Sequence, residues 1–422
     1  MLSVLQNTLK GEEEMIRLKL TIVAYILASA FMPAMGTHAA TYYVATNGNN
    51  SNPGTSSSPW RTVAYAASKM VAGDTTYVKG GTYKEGLITF GRSGTQSAPI
   101  KLLNAPNQFP IIDCIDRSKN HMVLIQNSSS RRLPIGWITI EGFEIRNCLN
   151  GIRFWNLHDS VIRRNWIHGN FPAQGILGNG TRIVIDRNRI NHNGPFATNP
   201  ASTQAHGLYL NGTAMTITNN LIYDNLGYGI QMNGTVGYDP ANHPASEFAV
   251  TSNWVIVNNT MAYNANRSGL VVWGSNSRNA RIENNIFHEN SVKLASYSAQ
   301  GIDFLNSGTG HTIRNNLAFA SGSGGTKFIA GGTQGTHYTQ SGNIVNTLNP
   351  GFVNAPATLP SAPNFALGSG SSAINKGLIT SATKSSYTNV SRPQLSLYDV
   401  GAFEFFSNST SLAAPTSLQL TK

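Results

Sequence analysis

The sequence predicts an all-β fold, a right-handed parallel β-helix (solenoid) with a short N-terminal capping helix and an irregular C-terminal cap. Three observations carry this. A ten-residue phrase recurs six times, two columns of asparagine stand five residues apart within it, and a glycine opens a further apolar run in each repeat. Repetition at this spacing marks stacked units, none of which buries its apolar face alone. Only 12% of the 422 residues are charged and 41 are glycine. That composition fits many short strands joined by polar turns and excludes an all-helical chain.

Residues 1–39 stand apart from the fold. Met15-Ile16-Arg17-Leu18-Lys19 gives a basic start, Leu20 to Phe31 an apolar run, and Thr37-His38-Ala39-Ala40 a small-residue cleavage site. This is the pattern of a signal peptide, with residues 1–14 an over-called start. The apolar run is shorter than the roughly 20 residues a membrane span needs, so a secreted protein, extracellular or periplasmic, is expected. A single β-helix domain then fills 40–406, and the Ser/Thr-rich stretch 407–422 is a flexible tail.

Residues 61–71 place Val63, Ala67, Met70 and Val71 at helical spacing, closed by Gly73-Asp74, and predict a short helix over the first coil. Early coils follow through Leu87–Phe90, Ile100–Leu103, Ile111–Cys114, Met122–Ile125 and Ile138–Ile145. The repeated phrase begins at Val161–Asn170 and returns at 184–193, 216–225, 255–264, 281–290 and 312–321. It aligns Asn165, Asn188, Asn220, Asn259, Asn285 and Asn316 in one column and Asn170, Asn193, Asn225, Asn264 and Asn290 in another. Asparagine tolerates left-handed backbone at a tight bend, and its amide can bond the amides above and below. Ile162, Ile185, Ile217, Ile256, Ile282 and Ile313 form one inward column, and Ile167, Ile190, Ile222, Met261, Phe287 and Ala318 another. A third strand opens at Gly151, Gly175, Gly207, Gly229, Gly269 and Gly301. Each coil therefore has three short strands, stacked at about 4.8 Å.

Aligning Ile111 with Ile145 puts Cys114 and Cys148 in one column, where either a disulfide or two stacked thiols would fit. The irregular segment from about 347 to 406 is expected to cover the far end of the solenoid.

The net charge is +11, and removing 1–39 takes three basic and three acidic residues, leaving it unchanged. Outside the cell such a chain attracts polyanions. No Lys/Arg-rich run or nucleic-acid-reading motif is present. An acidic polysaccharide is the expected partner, with no nucleic acid, no membrane span and a monomeric state.

The stretches Tyr42-Tyr43-Val44-Ala45-Thr46-Asn47-Gly48, Asn52-Pro53-Gly54-Thr55, Pro59-Trp60-Arg61-Thr62, Gly73-Asp74-Thr75 and Gly81-Thr82-Tyr83 resemble the opening of secreted β-helix proteins of the pectate-lyase superfamily. Asp399-Val400-Gly401-Ala402-Phe403-Glu404 resembles their close. The resemblance implies the fold over about 41–404 and a choice among lyases, C5-epimerases, hydrolases and surface proteins. The chain contains no Asp-Asp pair to match the calcium cluster of one pectate-lyase branch. Asp239-Pro240-Ala241-Asn242-His243 resembles the Asp-Pro-His-Asp motif of alginate epimerases at two of its four places.

Three insertions, 194–205, 234–249 and 291–299, flank the third strand and place a groove along it. The outward column there reads Arg153, Leu177, Tyr209, Gln231, Val271 and Asp303, and the column before the glycines reads Asn150, Gln174, His206, Tyr228, Ser268 and Gln300. His206, Tyr209, Tyr228 and Gln231 thus form one patch suited to proton transfer and hydrogen bonding. His206 is assigned as base, Tyr209 or Tyr228 as acid, Gln231 as carboxylate donor and Lys293 or Arg267 as the neutralising cation, with Lys293 the rival base. Arg153, Asp303 and two outward rings, Trp155 and Trp273, complete the substrate-binding set, and solvated surface residues or ring packing under the insertions is the plain alternative. No cofactor or resident metal is expected; Asp224, Glu289 and Asp303 leave calcium open, though no ligand spacing for it is present. The expected activity is β-elimination on a uronic-acid polysaccharide. The alternatives are a glycan-binding surface protein, a C5-epimerase and, ranked below them, a glycoside hydrolase working through the carboxyls of Asp224 and Glu289.

Overall fold

The computed structural model describes residues 39–114, 134–202, 204–234, 250–291, 300–320 and 327–406, and the strand His121–Ile125 without its side chains. The expected signal peptide, the tail 407–422, Lys293 and the stretch Asp239–His243 lie outside the described residues, as do nearly all of the insertions 234–249 and 291–299. Among the described residues no helix is long and apolar enough to cross a membrane.

The chain coils as a right-handed parallel β-helix. Second strands such as Trp166–His168, Arg189–Asn191, Leu221–Tyr223 and Thr260–Ala262 form one ten-stranded parallel sheet. First and third strands join in a second sheet because Asn150–Arg163 and Ile176–Asp186 run on round the corner between them. Register is as the repeats require: Ile162, Ile185, Ile217, Ile256, Ile282 and Ile313 stack in turn, as do Ile167, Ile190, Ile222, Met261, Phe287 and Ala318. Both columns are wholly buried. Each fully buried Ile or Leu contributes about 1.5–3 kcal/mol.

Both asparagine columns are continuous hydrogen-bonded ladders. In the first, each amide Nδ2 donates to the Oδ1 of the next, from Asn165 through Asn188, Asn220, Asn259, Asn285 and Asn316 to Asn343. Each Oδ1 also takes the backbone N–H of the residue one coil before, so buried turn groups are satisfied. The left-handed backbone, however, belongs to the residue before the ladder: Arg164, Arg187, Asn219, Asn258, Asn284 and Asn315 have φ of 49–56°. The opening glycines are required by close approach. A Cβ on Gly207 would stand 2.6 Å from the carbonyl oxygen of Gly229 in the next coil.

The N-terminal helix is Val63–Lys69, burying Val63, Ala66 and Ala67. Thr62 caps it, and the buried Glu85 carboxylate accepts from Val63 N and Ala64 N. Cys114 and Cys148 form a disulfide with Cα atoms 5.1 Å apart. The underlying register is one residue away from the expected one, since Ile112 rather than Ile111 pairs with Ile145.

The C-terminal segment is irregular as expected, but its described contacts lie along the flank of the coils. Asn258, Asn284 and Asn315, left-handed residues of the first turn, donate to Asp399 O, Leu378 O and Lys376 O. Leu221, Tyr223, Ala262 and Tyr263 pack with Phe365 and Ala402, and Ile286 and Leu317 with Leu367 and Val400. Arg392 holds the segment together, donating to Glu404 at 2.7 Å and to the carbonyls of Asp399 and Gly401.

Candidate functional site

The third strands Ile176–Asp186, Leu208–Thr213, Ile230–Asn233, Leu270–Trp273 and Ile302–Leu305 lie side by side. Their register stacks Arg153, Leu177, Tyr209, Gln231, Val271 and Asp303 in one outward column. One step earlier, Gly175 N donates to His206 O and Gly207 N to Tyr228 O, which stacks Gln174, His206 and Tyr228. The structure thus brings His206, Tyr209, Tyr228 and Gln231 together on adjacent coils. The His206 ring lies 5.4 Å from Tyr209, edge to face, and 5.4 Å from Tyr228, tilted. Arg267 places its guanidinium 5.7 Å from the Tyr228 ring.

The role of His206 differs from the one expected. Its Nδ1 accepts the backbone N–H of Tyr228 at 3.0 Å, and Gly227 leaves room for this, since a Cβ there would meet Nδ1 at 2.4 Å. With Nδ1 accepting, the single proton of the neutral ring sits on Nε2. Burial, and then the charge of Arg267, push its pKa down to about 3. His206 stays neutral, its one basic lone pair is used, and Nε2 has no hydrogen-bond partner among the described residues. The geometry makes it a donor, not a general base.

Other positions also differ from expectation. His206 and Asp303 are 1% exposed, and Gln231 and Tyr228 are buried, so these four side chains offer almost no surface to solvent. Trp155 is 4% exposed and takes the Arg153 guanidinium on its ring at 4.6 Å, so it packs instead of offering a face to a sugar. Trp273 does end its strand outward, at 36% exposure. Asp224 is engaged by His192 and Glu289 is fully buried, so the two carboxyls proposed for hydrolysis share no open cleft. Among the described residues no His, Cys, Asp and Glu side chains cluster as a metal site.

Sequence reasoning missed the side chains that set the groove's edge. Asn266 donates to Pro200 O and Ser202 O, and Gln174 to Gln204 O, pinning the segment that leads to His206. The signal available was position alone: Asn266 precedes the third strand of its coil, and Gln174 shares the His206 column.

Residues 42–199 match the family model of the Pel9A-like right-handed β-helix region. Residues 162–345 match a model described as a protein of unknown function, DUF1565. The structure of pectate lyase Pel9A aligns with a TM-score of 0.55 and 19% identity, over 86% of this chain and 96% of that one. The chain shares the right-handed parallel β-helix fold of that lyase. A rhamnogalacturonan lyase aligns to this β-helix with a TM-score of 0.51 and 16% identity, over 78% of this chain and 96% of its own. A stretch of 105 residues is 31% identical to the Uncharacterized protein YwoF of Bacillus subtilis (strain 168), covering 24% of the chain and 22% of that relative's length.

Proposed function

We propose that the β-helix binds a uronic-acid polysaccharide along the third-strand face and cleaves it by β-elimination. The observation that carries this reading is the convergence of Arg267, Tyr228, His206, Tyr209 and Gln231 on adjacent coils. The net charge of +11 favours an anionic chain, and two solved proteins of this fold are named as lyases of pectate and rhamnogalacturonan.

Elimination requires three things: neutralising the uronate carboxylate, removing the proton beside it, and protonating the leaving oxygen. Arg267 serves as the cation, with Gln231 and the Nε2–H of His206 as hydrogen-bond donors. Tyr209, half-buried at the patch edge, hands a proton to the leaving oxygen. Because the His206 lone pair is occupied, the base in this reading is Lys293.

The test is to incubate the purified protein with pectate, rhamnogalacturonan, alginate and chondroitin and follow the ultraviolet absorbance of the unsaturated product. Absorbance should rise with one of them, and Lys293→Met should abolish the rise while leaving binding intact. His206→Ala should lower the rate by about 10²-fold or more, as loss of one preorganised donor does. Binding without absorbance would replace the lyase with a glycan-binding protein. Exchange of the ring proton with solvent without chain cleavage would replace it with an epimerase.

A further inference from the structure

The connection 194–205 delivers His206 to the groove, and several contacts hold its path. Gly194 N donates to Asn170 O at 2.9 Å. Asn266 and Gln174 hold the later part through Pro200, Ser202 and Gln204. At its start, Phe196 lies flat on the His192 imidazole, with centroids 4.2 Å apart and planes 8° from parallel. The same Phe196 packs against Ala205, Leu226 and Ala265, immediately before His206 and on the two following coils.

His192 occupies the left-handed turn position, with φ of 54°. That conformation directs its Nδ1 to the Asp224 carboxylate one coil on, at 2.8 Å. Its side chain is 55% exposed, so solvent protons reach it. We propose that His192 is a proton-operated latch on the 194–205 connection: as imidazolium it grips the Phe196 ring, and as a neutral ring it holds it less.

The physical ground is the aromatic quadrupole. A cation over a ring face is attracted to it, whereas a neutral imidazole keeps only ordinary ring–ring contact. Asp224 supplies the titration range: its hydrogen bond, opposed by burial and helped by its charge, raises the His192 pKa above 6.5. Among the described residues, Asp224 is the charged group that moves the His192 titration. Gly169, bonded to His192 from the preceding coil, has no side chain, Phe196 is uncharged, and Arg189 on the same strand is turned to Trp166 and Tyr223. The sign follows from the raised value. The grip is complete below 6.5 and is lost as pH rises through the folded pKa.

The test needs no polysaccharide, so it stands or falls apart from the lyase reading. The His192 Cε1–H resonance gives the ring's titration, and amide protection factors for Phe196, Ala197, Thr198, Asn199, Ala201 and Ser202, which remove the intrinsic pH dependence of exchange, give the hold on the connection. Protection should be roughly two- to fivefold greater with His192 charged, and should fall with the midpoint of its titration. Asp224→Asn should move both midpoints down together. Phe196→Leu should leave His192 titrating and flatten the protection profile. Flat protection across the wild-type titration, or undiminished dependence in Phe196→Leu, would overturn the latch.

Discussion

Asn220 shows what one ladder residue does. Its Oδ1 accepts Asn188 N at 2.8 Å and Asn188 Nδ2 at 3.0 Å, and its Nδ2 donates to Asn259 Oδ1 and Ile185 O. Asn220→Ala leaves Asn188 N and Ile185 O buried without these partners, at about 1–3 kcal/mol each. The expected loss is therefore about 3 kcal/mol, read as a lower urea midpoint with an unchanged slope. A loss below about 0.5 kcal/mol would mean that the turn groups find other partners. The ladder itself was legible in the sequence because identical side chains recur at one position. Its left-handed partner was not, because Arg164 and Arg187 adopt the same conformation as Asn219 and Asn258. There the coil geometry overrides residue preference. The His206 patch was equally legible as a set of neighbours, yet its protonation state depended on a backbone N–H from the next coil, which no spacing reveals.

Among the elements, the early coils depend on a covalent tie. Cys114 ends the strand Pro110–Cys114, Cys148 follows Glu144–Arg146, and the bond between them closes a separation of 34 residues. Loop-closure entropy for that length gives about 4 kcal/mol. Replacing both cysteines by alanine should lower the thermal midpoint markedly while leaving the later coils' ladders intact; an unchanged midpoint would show that the tie adds nothing. The pairing was foreseeable as one of two outcomes, but the register was not, since Ile111 and Ile112 are both isoleucines and only one points inward. The C-terminal segment offers a similar lesson. A cover was expected, and the sequence did carry a sign of its place. Outward positions of the second strands change from Trp166, His168, Arg189 and Asn191 to Leu221, Tyr223, Ala262 and Ile286. An outward face that turns apolar needs something lying on it, and residues 352–403 do so.

For the molecule as a whole, the buried imidazoles decide how it meets acid. Burial pushes His206 down to about 3 and His311 to about 4, and it lowers His288 as well. A base with a depressed folded pKa takes its proton first in the unfolded chain. Stability therefore begins to fall as pH drops below 6.5 and continues falling towards the folded values. The loss bears on a total stability of only about 5–15 kcal/mol. Glu85, Asp399 and Glu404 act in the opposite sense, because burial raises them and the folded chain takes up their protons first. Separating the two contributions calls for variants that keep the hydrogen bond and lose the titration. His206 and His311 each accept a backbone N–H through Nδ1, from Tyr228 and Ala280, and an asparagine amide oxygen can accept in that place. Thermal midpoints of the wild type should fall steadily from pH 6.5 towards about 4. The double variant His206→Asn, His311→Asn should start lower, having lost packing, and fall less steeply over the same interval. Parallel profiles for the two proteins would show that these imidazoles are already protonated, or solvated, in the folded chain.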